Sequence, residues 1–138
     1  MSTPALLIAA SAAVIFVLGF LHLVFTFYGP KFDPRDAELK ARMMVVSPVI
    51  TRQTTMWRAW IGFNASHSYG GILFGAVWAY LALVHPAFLF QSVFLLALGL
   101  LVLLGYVVLG KIYWFSIPFR GILLATVLYG LGLLVYFV

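Results

Sequence analysis

Long uncharged stretches alternate with short polar ones along this chain. The first apolar run goes from Pro4 to Tyr28. The second goes from Ala59 to Val84, entered through the Trp57 and Trp60 pair, the third from Ala87 to Leu109, and the fourth from Pro118 to Val138. A helix needs roughly 20 apolar residues, at about 1.5 Å of rise each, to cross the hydrocarbon layer of a bilayer. Each run is long enough. His85-Pro86 separates the second run from the third, Gly110-Lys111 ends the third, and Pro118 suits the first turn of the fourth. The pattern predicts spans over residues 4–28, 57–84, 87–109 and 118–138, joined in up-down order as one all-α, four-helix membrane bundle. No Lys or Arg precedes the first run, and it exceeds the length of a signal-peptide core, so it is expected to be retained.

The connection 29–56 is the one segment with room for structure outside the spans. Asp33-Pro34-Arg35-Asp36 reads as an N-cap with proline at the first helical position and an acid in the first turn. Leu39, Met43 and Val46 then recur at helical spacing opposite Glu38, Lys40 and Arg42, and Ser47-Pro48 stops the run. A short amphipathic helix over 34–46, lying on the membrane surface, is predicted.

Composition makes the membrane reading compelling. Hydrophobic residues make up 65% of the chain and charged ones 8%, too few to cover a water-facing surface. The net charge of +5 comes from eight Lys and Arg, all at the first and third connections, which share one side of the membrane. By the positive-inside bias that side is cytoplasmic, in a bacterial-type inner membrane with both termini outside. The basic residues therefore report orientation, and no nucleic-acid partner is expected. Tyr28, Trp57, Trp60, Tyr113 and Trp114 suit the inner interface, and Trp78, Tyr80 and Tyr136 the outer one. With no cysteine, thiolate and disulfide chemistry are excluded.

Inside the spans the polar residues form stripes. Asn64, His67, Ser68, Gly71 and Gly75 share one helical face, and Gly19, His22, Thr26 and Gly29 share another. An amide and imidazoles facing lipid would lose several kcal/mol of hydrogen bonding, so these faces are expected to meet protein. His22, Thr26, Asn64, His67, Ser68 and Tyr106 fall at similar depth in the cytoplasmic half and outline a candidate polar pocket. Arg58, Lys111, Tyr113 and Arg120 stand near its mouth. No metal-ligand set is apparent. His85, in the outer turn, reads as a solvated residue.

The segments GFLHLVFTFYG, FDPRD, TTMWRAWIGFNASHSYGGILFG and KIYWFSIP resemble a family of small, uncharacterised four-span bacterial membrane proteins. That likeness covers most of the chain and implies four helices and a membrane location. A weaker, architectural likeness is to the MAPEG family of glutathione-linked membrane enzymes. The family's Arg, Asn and Glu at spacings of four and three are met here by Trp60, Asn64 and His67, with Arg58 six residues before Asn64.

Three functions remain open on the sequence. One is a non-catalytic binding or accessory subunit, with a lipophilic small molecule, a larger membrane assembly or a homo-oligomer as partner. A second is a thiol transferase acting on a lipophilic substrate. The third is haem binding with His22 and His67 as axial ligands. No acidic residue lies in any span, which removes a carboxylate proton relay from the bundle.

Overall fold

Uncharged sequence becomes helix almost throughout. The computed structural model describes residues 2–138, and the elements among them are α1 (Thr3–Phe27), α2 (Ala37–Val45), α3 (Met56–Val84), α4 (Pro86–Gln91), α5 (Val93–Tyr113) and α6 (Ser116–Phe137), with no strand. Four of these, α1, α3, α5 and α6, are long and apolar enough to cross a membrane. Phe63, Leu73, Phe94 and Leu101 lie largely exposed on them, as lipid-facing side chains do, and the chain is a multi-pass, all-α membrane protein.

The helix ends follow from specific residues, several of which correct the boundaries expected from the sequence. Gly29 adopts φ +86° just beyond α1, the left-handed conformation that stops a helix, with Pro30 following. It is therefore a helix terminator and no member of the polar stripe of span one. In the connection, Asp36 rather than Asp33 caps α2: its carboxylate accepts the N–H groups of Glu38 at 2.8 Å and Leu39 at 3.3 Å. Pro34 stays outside the helix, which runs over 37–45 rather than 34–46. Thr55 accepts the Arg58 N–H through its hydroxyl at the start of α3.

The third span is also not one helix from residue 87. Pro86 begins the short α4, and the chain breaks at Ser92, whose hydroxyl accepts the Leu95 N–H and starts α5. At its other end α5 passes through Gly110 to Tyr113. A Cβ at Gly110 would come within 3.3 Å of both Phe119 and Trp114, so this glycine serves close packing and does not end the helix. The fourth span begins at Ser116, two residues ahead of Pro118, which lies in the first turn.

The chain divides into two compact units: residues up to Leu18 with Gly71–Val138, and Gly19–Gly70. The first unit is the bundle, and it contains the whole buried apolar core, from Ile8 and Ala12 through Phe74 and Leu103 to Tyr129. Small residues let its helices approach. A Cβ at Gly75 of α3 would stand 2.5 Å from the Phe16 Cβ and 2.7 Å from the Ala12 carbonyl oxygen of α1. Ser11 donates to the Ala125 carbonyl at 2.7 Å, tying α1 to α6. At the centre Trp78 donates through Nε1 to the Tyr129 hydroxyl, which donates in turn to the Leu96 carbonyl, both at 3.1 Å. Trp78 is thus a buried core residue and not a member of the outer aromatic girdle, because its indole N–H has a partner inside the protein.

The second unit comprises the end of α1, the connection with α2, and the first half of α3. Lys40 reaches back from α2 to Asp33 at 2.7 Å and lies 4.8 Å from the centre of the Trp57 ring. The backbone N–H of Met56, the first residue of α3, donates to the Val46 carbonyl at 2.8 Å. Together with the Asp36 cap, these contacts turn a loop-rich connection into a defined surface element.

Candidate functional site

The polar stripes of α1 and α3 meet inside the second unit. Asn64 is buried, and its side chain is oriented by its own helix: Nδ2 donates to the Trp60 carbonyl at 2.8 Å. A carbonyl only accepts, so the amide is fixed with Oδ1 turned outward. That oxygen lies 3.0 Å from His22 Nε2. His22 must therefore carry its proton on Nε2, and in the neutral ring Nδ1 is left as the acceptor. The His67 ring stands edge to face with His22, centroids 5.3 Å apart, and Phe32 packs against His22 at 4.5 Å. His22, Asn64 and His67 form one cluster.

Two other residues of the stripe play a quieter part. The Thr26 hydroxyl donates to the His22 carbonyl at 2.7 Å and Ser68 to the Asn64 carbonyl at 2.9 Å. Both are buried and satisfied one turn back on their own helix, so they let the helices cross polar sequence without adding a group to the cluster. Arg58 is exposed at the start of α3. Tyr106, Lys111, Tyr113 and Arg120 belong to the bundle unit. There Tyr106 is half-buried with its ring 6.1 Å from that of Trp114, Lys111 lies 5.7 Å from the Phe119 ring, and Tyr113 and Arg120 are exposed. His85 is exposed and pairs through Nε2 with the Tyr80 hydroxyl at 3.1 Å.

The structure adds Phe32 and Trp60 to the site. Trp60 holds Asn64 through its carbonyl and donates its indole Nε1 to the Phe32 carbonyl at 3.1 Å. The same two residues, with Lys31, Asp33, Pro34 and Met43, line an open groove of about 370 Å3. Only the position of Trp60, one turn before Asn64, hinted at this role in the sequence. Phe32 is brought in by the fold of the connection.

Phe32 and Trp60 join the cluster to an open groove. Among the described residues no group of three or more His, Cys, Asp or Glu side chains is placed to hold a metal. The His22 and His67 rings meet edge to face, with His22 Nε2 directed at Asn64. Comparison of the chain with protein-family models, curated proteins and solved structures finds no match.

Proposed function

We propose that this multi-pass membrane protein is a non-catalytic binding or accessory subunit, holding the polar end of a lipophilic molecule or partner at the His22, Asn64 and His67 cluster. The observation that carries this reading is the double use of Phe32 and Trp60, which line the groove and also pack against or orient the cluster. A site of this kind presents donors and acceptors beside apolar walls, as small-molecule sites do. The one carboxylate in the groove wall, Asp33, is held by Lys40 at 2.7 Å. The membrane is a bacterial-type inner membrane, with the connection 29–56 cytoplasmic and both termini outside, as the one-sided basic residues indicate.

The thiol-transferase reading has less support. Trp60 stands where that chemistry places an arginine, and its indole is engaged with the Phe32 carbonyl. The test is purification in mild detergent, followed by light scattering for assembly size and mass spectrometry of bound lipophilic molecules. The expected result is a stoichiometric molecule or partner that is lost in Asn64→Leu and His67→Gln while helicity is kept. A bare monomer that conjugates glutathione to an electrophile would refute the proposal.

A further inference from the structure

Beyond the cluster, the connection carries an apolar feature that nothing in the protein covers. After α2 ends, the Thr51 N–H donates to the Pro48 carbonyl at 3.2 Å, closing a tight turn with Val49 and Ile50 at its two central positions. These residues are 108% and 91% exposed. Turn apices are ordinarily Gly, Asn, Asp or Ser. Two aliphatic residues there gain nothing from water and need another apolar surrounding.

Geometry fixes what is near. The loop carrying this turn is closed at its base by the Met56 to Val46 hydrogen bond, and Met56 is the first residue of a membrane-spanning helix. Three residues of chain reach at most about 11 Å, so Val49 stands no farther than that from Val46 at the entrance of α3. The headgroup layer lies at that entrance. Charge then selects the lipid. No acidic residue follows Glu38 anywhere in the chain, whereas Arg42 and Arg52 flank the turn. Both arginines are exposed. Of the three acids in the connection, Asp33 is paired with Lys40 and Asp36 is engaged in capping α2. Along the chain the apolar tip therefore lies between two exposed cations.

We propose that the Pro48–Thr51 turn inserts Val49 and Ile50 into the headgroup region of an anionic bilayer, with Arg42 and Arg52 on lipid phosphates, making the connection an anchor dependent on anionic lipid. The combination of an apolar insert with a basic fringe is the pattern by which peripheral segments select anionic membranes. Insertion would set the height of the groove lined by Met43 and Trp60 at the bilayer surface.

The chain has no cysteine, so an Ile50→Cys protein can be labelled at that site alone with an environment-sensitive fluorophore. The labelled full-length protein is reconstituted in vesicles of phosphatidylcholine, or of phosphatidylcholine and phosphatidylglycerol in equal parts. Val49→Cys provides a second reporter, Glu38→Cys a water-facing control, and circular dichroism a check on folding. In the anionic vesicles the Ile50 and Val49 labels should shift to the blue and be quenched by spin-labelled lipid. Arg42→Gln and Arg52→Gln should each lower the ratio of inserted to free loop about fivefold. Labels that stay accessible to aqueous iodide in both lipids would overturn the proposal. So would labels shielded from water yet unquenched by lipid, which would mean a protein partner or a second copy, and so would equal insertion in phosphatidylcholine alone.

Discussion

Replacing His22 and Asn64 separately and together measures whether the cluster is a coupled unit. His22→Phe removes the ring nitrogen that faces Asn64 Oδ1 at 3.0 Å, a normal length for this bond, and leaves that buried oxygen without its partner. Asn64→Leu removes the acceptor together with the bond to Trp60. Hydrogen bonds between membrane helices average about 0.6 kcal/mol and reach about 1.7. Asn64 is only 6% exposed, which places this pair in the upper half of that range, so a coupling energy of about 1 kcal/mol is expected from the double-mutant cycle. The His22 and His67 pair meets edge to face, and removing both rings should show a coupling of about 0.5 kcal/mol. Unfolding in mixed micelles by titration with dodecyl sulfate, followed by circular dichroism, supplies the four free energies of each cycle. Coupling below about 0.3 kcal/mol, the error of additivity for independent sites, would show that His22 and Asn64 do not act together. Loss of a bound molecule in His67→Gln with stability changed by less than about 1 kcal/mol would separate a binding site from helix adhesion.

Other changes test the frame that carries this site. Tyr129→Phe removes the hydroxyl between Trp78 and Leu96 and should cost about 1–2 kcal/mol in the same assay. Gly99→Ala places a Cβ 2.5 Å from Trp78 Nε1 and closer still to the Tyr129 hydroxyl, so it should cost about 1–3 kcal/mol, and the double variant should lose less than the sum. Asp36→Ala should weaken α2 by about 1 kcal/mol, read as faster amide exchange at Glu38 and Leu39, which unchanged exchange would contradict. A probe on Arg42→Cys should react from the cytoplasmic side of inverted vesicles, and labelling only from the periplasmic side would reverse the proposed orientation.

The spans were legible because a bilayer tolerates few polar interruptions, and runs such as Pro4 to Tyr28 contain none with charge. Their ends were harder to place, since a helix end depends on which of several candidate residues finds a geometric partner. Asp33 and Asp36 carry the same carboxylate three positions apart. Asp36 alone meets the first amides of α2, while Asp33 is held by Lys40. Gly110 carries the composition of a helix stop, yet the approach of Phe119 makes it a packing residue. Ser92 is one of two polar residues in an apolar run, and its role as a cap appears only because the helix is broken there.

The candidate site divides along the same line. Helical periodicity places Asn64, His67 and Ser68 on one face, and His22 with Thr26 on another, from sequence alone. Periodicity cannot say which polar groups satisfy themselves. Thr26 and Ser68 turn back onto carbonyls of their own helices, an option open to a short hydroxyl side chain at any helical position. The His22 imidazole instead reaches across to Asn64 on α3. Asn64 turns back onto its own helix with only one end of its amide, leaving Oδ1 for His22. His22 and Asn64 are therefore joined across two helices, and the His67 ring stands edge to face with His22. In a segment bordered by lipid, where an unmatched donor or acceptor costs several kcal/mol, Asn64 matches one end of its amide on its own helix and the other on His22, and that second bond joins α1 to α3.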